Sequence, residues 1–470
     1  MKKSVKPKLP RIGILGFGRE GKSVLKYLKK SSQFRKSKIE ILDRRSEKNY
    51  LKGLARFELI FRSPGVPYNL PELKKAREDG TYFSSVTRLF FENYKGKIIG
   101  VTGTKGKGTT STLIYKILSA GGGKTTSRLS SGHVFLAGNI GKSAIEALSK
   151  NKNTPVAILE LSSFQLQDLD ISPEVAVMLD VFPDHQDAHA NLREYYEAKA
   201  NIGRYQSANR RKNDKIFFFA DNAMSRKLAM KSPAQKIAVD YRKFKEFKES
   251  DLLIKGLHNF KNAVMAATAA KSLGADWGTI KRVVKKYKGL EHRLEFVRAI
   301  RRTTRTKRGL ALIREVAFYN DSASTNPMTS AAALEAFGKE RKILIAGGQD
   351  KNLDYSPLRK ALKKYGAEMV VLFGENKNKI RAAIGSSAKI RFVKNLEEAV
   401  RLAYKEARDG DANPSPLFKG EGRMHANYTN QRGTAIIFSP GAASFDMFND
   451  YADRGRKFKG LVLRLTKGRK

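Results

Sequence analysis

The chain has 470 residues, 41% of them apolar, with no cysteine and a formal net charge of +47. That length is a prior for about three domains with real cores, and the missing cysteines exclude disulfides, thiol catalysis and Cys-ligated zinc. No apolar run approaches the roughly 18–20 residues of a membrane span, and the run Ile12–Phe17 behind the basic N-terminus is too short for a signal peptide.

Arg11–Leu15 reads as a short buried strand. Gly16-Phe17-Gly18-Arg19-Glu20-Gly21 follows and opens a helix through Leu28. Lys38–Leu42 is a second strand, ending in Asp43-Arg44-Arg45. A G-x-G-x-x-G turn with an acidic residue about 20 positions on is the dinucleotide fingerprint, so it predicts a Rossmann-like unit holding an anion or nucleotide at the first turn. Phe57–Arg62 is a further strand, closed by turn residues in Ser63-Pro64-Gly65-Val66-Pro67. A boundary is expected near Asn93–Lys97.

The next strand, Lys97–Val101, runs into Thr102-Gly103-Thr104-Lys105-Gly106-Lys107-Gly108-Thr109-Thr110-Ser111 and then a helix. Glycines let backbone N–H groups close around phosphate oxygens, the helix N-terminus faces the anion, and Lys107 adds a point charge. The spacing departs from the strict phosphate loop: five residues separate Gly100 from Gly106, and Gly108 stands between Lys107 and Thr109. Further strands are expected at His133–Leu136, Val156–Leu159 and Val175–Leu179. Their ends carry Gly138-Asn139-Ile140-Gly141, Glu160 to Gln165, and Asp180 to His185. A carboxylate and an imidazole at neighbouring strand ends beside a phosphate loop suit a divalent cation bridging phosphate oxygens. Leu192–Tyr205 reads as a helix containing Lys199, and Gly256 to Asn262 leads into helices Ala263–Leu273 and Trp277–Tyr287.

The last segment starts after Lys288–Glu295. A strand near Ala311–Tyr319 ends in Asn320-Asp321-Ser322-Ala323-Ser324-Thr325-Asn326-Pro327, and a helix follows. Ile343–Ala346 runs into Gly347-Gly348-Gln349-Asp350-Lys351, Met369–Phe373 into Gly374, and Ala435–Phe438 into Ser439-Pro440-Gly441. Residues 409–433, with Pro414, Pro416, Gly420 and Gly422, read as a loop insertion. The basic clusters Arg210-Arg211-Lys212 and Arg301–Arg308 are short and sit between the expected elements, without aromatic interleaving or a recognition helix. The charge therefore reads as general surface decoration that attracts anionic substrates. No specific nucleic-acid partner is expected, although a basic nucleic-acid-binding protein is the alternative from a different class.

Taken together and in order, Thr102–Thr110, Gly138–Gly141, Glu160–Gln165, Asp184-His185, Lys199, His258-Asn259 with Asn262, and His292-Arg293 resemble the Mur ligases. These are ATP-dependent, amide-forming enzymes of peptidoglycan synthesis. Glu160-Leu161-Ser162-Ser163-Phe164-Gln165, Asn320-Asp321-Ser322 with Thr325-Asn326, and Ser439-Pro440 with Ala443-Ser444-Phe445-Asp446 are most similar to the members that add D-glutamate to UDP-N-acetylmuramoyl-L-alanine.

The resemblance implies an α/β chain of three domains. Residues 1–95 would be a Rossmann-like domain for the UDP substrate, 96–296 a P-loop-type ATPase domain with a mainly parallel sheet, and 297–470 a Rossmann-like domain for the amino acid. In the chemistry it implies, ATP phosphorylates the substrate carboxylate, the incoming amine attacks the acyl phosphate, and a tetrahedral intermediate collapses to amide and phosphate.

Site residues follow from the same resemblance. Gly103, Thr104, Lys105, Gly106, Lys107, Gly108, Thr109 and Thr110 would hold ATP phosphates. Two magnesium ions would be bound through Thr109 or Thr110, Glu160 and His185, with Lys199 carbamylated beside the second; Lys107, Glu160, His185 and Lys199 form the catalytic set. Asn262 would contact adenine, with His258 and Asn259 shaping the same corner, Arg293 would reach a phosphate, and Asp321 the nucleotide. Gly16, Phe17, Gly18, Asp43, Arg44 and Arg45 would hold UDP, while Asn139, Ser162 and Gln165 face the muramoyl-alanine end. Lys351, Ser444, Phe445 and Tyr451 would hold D-glutamate. Ala323 stands where many D-glutamate ligases carry lysine, and Tyr451 replaces a common Phe.

Another Mur ligase or a folylpolyglutamate synthase-like enzyme is the alternative within the class. The latter lack a Rossmann-like first domain, so residues 1–93 favour the Mur reading. An NAD oxidoreductase would leave the phosphate loop without a purpose. The expected protein is a cytoplasmic monomer.

Overall fold

The computed structural model describes residues 10–120, 134–138, 143–145, 148, 156–184, 189–206, 213–305, 311–409 and 432–465. Asn139, His185 and nearly all of 409–433 lie outside them. The chain divides into two compact units, residues 1–247 with 261–284, and residues 248–260 with 285–470.

The first unit holds two parallel sheets. In one, β1 (Ile12–Leu15), β2 (Ile39–Leu42), β3 (Leu59–Arg62) and β4 (Tyr82–Ser84) stand in the order β2-β1-β3-β4. The other orders β5 (Lys97–Thr102), β6 (Val134–Gly138), β7 (Val156–Glu160), β8 (Val175–Met178), β9 (Lys215–Phe219) and β10 (Gln235–Val239) as β10-β9-β8-β5-β7-β6. Inner strands β7 and β8 are buried along their whole length, as parallel strands covered on both faces must be. Strand β5 is the pivot: the chain leaves it to build β7 and β6 on one side and β8 to β10 on the other. Its C-terminal end is therefore the switch point, where loops part and a crevice opens.

The two sheets share one core. Ile12, Ile14 and Val24 belong to the same buried cluster as Phe90, Phe135, Leu159, Met178 and Tyr195. Helix Val86–Asn93 supplies the seam, with Phe90 stacked on Tyr94 at 5.0 Å between centroids and both rings edge-on to Phe135. A buried ion pair crosses the same seam: Arg62 Nη2 lies 2.9 Å from Asp168 Oδ2 and donates to Phe164 O at 3.1 Å. Such a buried pair adds little net stability over apolar residues of the same size.

The second unit is built on β11 (Glu295–Arg305), β12 (Ala311–Asn320), β13 (Lys342–Ala346), β14 (Met369–Leu372), β15 (Lys389–Phe392) and β16 (Arg432–Phe438), ordered β11-β12-β16-β13-β14-β15. Only the β11–β12 pair is antiparallel. Side chains alternate between two apolar layers. Phe318, Ile345 and Phe438 pack on one face, and their neighbours Tyr319, Leu344 and Ile437 on the other.

The α/β class and the strands expected around the loops are observed. Strands β4, β9, β10, β11 and β15 add to those expected from sequence. β10 and β15 are mostly exposed edges with weak apolar patterns, and β4 has three residues. Arg301–Arg305 lie on β11 rather than between elements. The helix expected from Ala263 begins at Leu257, so His258 to Asn262 occupy its opening turns. Among the described residues no helix is long and apolar enough to cross a membrane.

Candidate active site

The loop after β5 is shaped by two glycines in the left-handed region, Gly103 (φ 153°) and Gly106 (φ 84°). A Cβ at Gly103 would lie 2.7 Å from that of Leu179, and one at Gly106 only 2.3 Å from Asn262 Oδ1. Both positions thus need glycine for conformation and for space. The helix Lys107–Ala120 starts directly behind them, its N-terminus at the loop.

Two lysines converge on this turn. Lys107 Nζ donates to Gly103 O and Thr104 O, each at 3.0 Å, and Lys199 Nζ donates to the same Gly103 O at 2.9 Å. Lys199, from helix Leu192–Arg204, is 2% exposed. Burial first, then the charge of Lys107, pushes its pKa well below that of an ordinary lysine, with Asp184 pulling the other way. Tyr195, one helical turn earlier, lies under the ammonium at 4.7 Å and exchanges a 2.8 Å hydrogen bond with Thr104 Oγ1. Burial pushes its phenol up to about 12, so it serves as a neutral donor or acceptor. Tyr195 did not stand out in the sequence; its spacing of four from Lys199 is the available signal.

Glu160 ends β7 beside Val101 of β5 and is 4% exposed. Thr110 is fully buried, and its Oγ1 has no hydrogen-bond partner among the described residues, whereas Thr109 is half-buried. Among the described residues no three His, Asp or Glu side chains cluster as a ready metal cage. A carboxylate and an orphaned hydroxyl at a phosphate loop nevertheless fit magnesium, which binds through one or two protein oxygens plus phosphates and water. Lys105 and Gly108 complete the loop, the first exposed and the second buried.

The other expected sites divide between the units. In the first, Asp43 Oδ2 accepts Phe17 N at 2.6 Å and its Oδ1 accepts Arg45 Nε at 2.9 Å. The Arg45 side chain and these backbone donors hold the Asp43 carboxyl far below the usual range. Asp43 therefore stays ionised and locks the Gly16–Gly18 turn, while Arg44 is exposed. Ser162 and Gln165 form a capping box on the short helix Ser163–Leu166. Gln165 Nε2 also donates to Glu20 Oε1 at 3.0 Å, joining the first glycine turn to the end of β7.

In the second unit, Asn259 Nδ2 donates to Lys255 O at 2.8 Å. Asp321 is buried, accepting Ser439 Oγ at 2.7 Å and Leu294 N at 3.1 Å. Burial pushes its carboxyl up to about 7, against the pull of Ser439, Leu294 N, Arg293 and Arg454. Lys351 Nζ lies 5.6 Å over the ring of Phe445, which is 61% exposed. Ser444 is buried, and Tyr451 is 46% exposed with its carbonyl accepting Ser322 Oγ at 2.7 Å. The support under these loops is Arg454, which gave no signal in the sequence. Fully buried, it donates to Ser322 O, Ala442 O and Ala443 O at 2.9 to 3.1 Å.

Family models match the chain twice, as the Mur ligase middle domain over residues 101–249 and as the Mur ligase glutamate ligase domain over 301–413. The UDP-N-acetylmuramoylalanine–D-glutamate ligase of Acetivibrio thermocellus is 36% identical over 443 residues, covering 88% of this chain and 84% of that protein. The enzyme of the same name from Symbiobacterium thermophilum is 33% identical over 443 residues, covering 89% and 86%. Among solved structures, the UDP-N-acetylmuramate-alanine ligase MurC of Thermotoga maritima aligns with a TM-score of 0.50 at 17% identity, covering 98% of this chain and 100% of its own. A Mycobacterium tuberculosis folylpolyglutamate synthase, complexed with ADP and AMPPCP, aligns at 0.50 and 13% identity, covering 82% and 94%. The structural matches speak to fold alone.

Proposed function

The chain belongs to the Mur ligase family, and from that premise we propose that it joins D-glutamate to UDP-N-acetylmuramoyl-L-alanine. It is an ATP-dependent, amide-bond-forming ligase of peptidoglycan precursor synthesis. The observation that carries the D-glutamate reading is the 36% identity to the Acetivibrio thermocellus enzyme over 88% of this chain, and the convergence of Lys107 and Lys199 on Gly103 O, in a glycine turn at the centre of a parallel sheet, supports the phosphoryl step.

A carboxylate is a poor electrophile, so a phosphoryl group from ATP must first give it a leaving group. Charge builds on the transferring phosphoryl oxygens, and preorganised cations and N–H groups lower that barrier. Lys107 and the loop amides at Gly106 to Thr110 serve this purpose, with Glu160, Thr110 or Thr109, and His185 as the magnesium ligands. Magnesium, when bound, would neutralise the phosphate oxygens. Burial makes the Lys199 amine easier to deprotonate than a surface lysine's, and in its neutral form it would add CO2 to give a carbamate, releasing one proton. The precursor's UDP lies along Gly16–Gly18, Asp43, Arg44 and Arg45, with Asn139, Ser162 and Gln165 toward its reacting end. Asn259, Asn262, Arg293 and Asp321 contact the nucleotide. Lys351, Ser444, Phe445 and Tyr451 orient the amino acid, so that attack by its amine becomes effectively unimolecular.

We divide the chain into 1–95, 96–296 and 297–470 for these three tasks and place the monomeric enzyme in the cytoplasm. The test is phosphate release from ATP with UDP-N-acetylmuramoyl-L-alanine and a panel of D- and L-amino acids. Release that requires the precursor and is strongest with D-glutamate is expected. Equal or faster release with another amino acid, or with a folyl substrate and L-glutamate, overturns the reading.

A further inference from the structure

Lys261 stands between Asn259 and Asn262 on the helix Leu257–Ser272 and takes no part in the chemistry above. Its Nζ lies 2.8 Å from Asp180 Oδ2 and 3.2 Å from Asp221 Oδ2. The rings of Phe219 and Tyr241 flank the ammonium at 4.5 and 5.2 Å. Asp180 and Asp221 follow the neighbouring strands β8 and β9, so one lysine ties two strand ends together. Asp180 also touches the phosphate loop, its carbonyl accepting Thr104 N at 2.8 Å. One position beyond Lys261, the Asn262 side chain lies directly over Gly106.

Successive side chains on an α-helix point about 100° apart. Lys261 and Asn262 therefore pin this part of the helix in two different directions, one against β8 and β9 and one against the loop. The core packing of Ala263, Val264 and Met265 holds the body of the helix, and these two contacts set the orientation of its opening turns.

We propose that Lys261 is a positioning residue of the nucleotide site. By bridging Asp180 and Asp221 it holds Asn262 over Gly106 and sets the preference for adenine over other bases. This deepens the reading of Asn262 as a base-contacting residue and rests on it. The role is positional rather than a matter of stability. Removing one partner of a buried ion pair can cost stability, and here the two rings that pack the lysine stem pack a methionine as well. The side chains of Asp180 and Asp221 are 21% and 25% exposed, so water can solvate them once the lysine is gone.

The test compares the parent with Lys261→Met, Lys261→Arg and Asp221→Asn, with ATP and GTP as alternative nucleotides and the other substrates saturating. Lys261→Met is expected to raise the KM for ATP about ten-fold, to leave the KM for the amino acid unchanged, and to narrow the ATP-to-GTP ratio of kcat/KM. Lys261→Arg restores most of both, and Asp221→Asn, which keeps the Asp180 contact, shifts both in the same direction by less. Should Lys261→Met fail to fold, the Asp221→Asn and Lys261→Arg pair carries the comparison alone. Parental values in the variants, or an equal loss toward every substrate and both nucleotides, overturn the proposal. A parent that turns over ATP and GTP equally well sinks the reading of Asn262 itself, a separate outcome visible before any variant is made.

Discussion

The phosphate loop and the loops bearing Lys351 and Ser444 all follow parallel strands, yet they are held in place by different means. The first is closed by side chains that meet on the turn itself: Lys107 and Lys199 both bond Gly103 O, Thr104 bonds Tyr195, and Asn262 fills the space a Cβ at Gly106 would need. The second is braced from beneath by the buried Arg454 and by Asn376, whose Oδ1 accepts Gly348 N at 2.9 Å, while Phe445 and Tyr451 stay exposed. Phosphoryl transfer needs groups already aimed at developing charge. The proposed amino-acid pocket, with Phe445 and Tyr451 exposed, would leave those side chains to be ordered by the substrate. Damage to the first region should therefore appear in kcat, and damage to the second in KM.

The largest effect is expected at Lys107. Lys107→Ala should lower kcat by at least about 100-fold, measured as phosphate release; parental turnover would remove the phosphate-loop assignment. Lys199→Ala comes next, with a comparable loss that short carboxylates partly restore, because they return the negative group a carbamate supplies. A variant as active as the parent sinks any essential role for that amine. On the other side of the comparison, Lys351→Ala should raise the amino-acid KM about ten-fold, as the loss of one charge-assisted contact, and leave the KM for ATP unchanged. The opposite pattern would misplace the pocket.

The smallest effect is one of stability. Because Asp321 titrates near 7 in the fold, against 3.8 for an ordinary carboxyl, the folded state binds more protons than the unfolded chain between these values. Its contribution therefore falls as pH rises across that window and is flat above it. The gain in stability on going from pH 8 to pH 5 should be smaller in Asp321→Asn than in the parent, by urea unfolding at both pH values. Equal gains would show that Asp321 does not carry the dependence.

The same contrast governs what could be read from the chain. The phosphate loop was legible because its needs are local: an apolar strand, glycines at fixed spacing, Lys107 and hydroxyls, all within Lys97–Ser111. Glu160 was legible as a carboxylate at a strand end, whereas Lys199 was found only through resemblance, and what sets Glu160 beside the start of the phosphate loop is the pairing of β7 with β5. Lys261 and Arg454 were not legible, since their partners lie far along the chain, and Tyr195 offered only its spacing of four from Lys199. The edge strands β10 and β15 escaped for a related reason: exposed on most of their residues, they lack the apolar run that marks β7 or β8. Lys351 was found only through resemblance, because an exposed lysine on a loop carries no physical mark of its ligand.

The proposed reaction turns on a carboxylate being phosphorylated before the amide forms. Incubating the enzyme with ATP, D-glutamate and UDP-N-acetylmuramoyl-L-alanine labelled with oxygen-18 in its carboxylate puts that step to the test by mass spectrometry of the released phosphate. One labelled oxygen per phosphate is predicted, carried from the carboxylate as the acyl phosphate breaks down; phosphate free of label would contradict the mechanism.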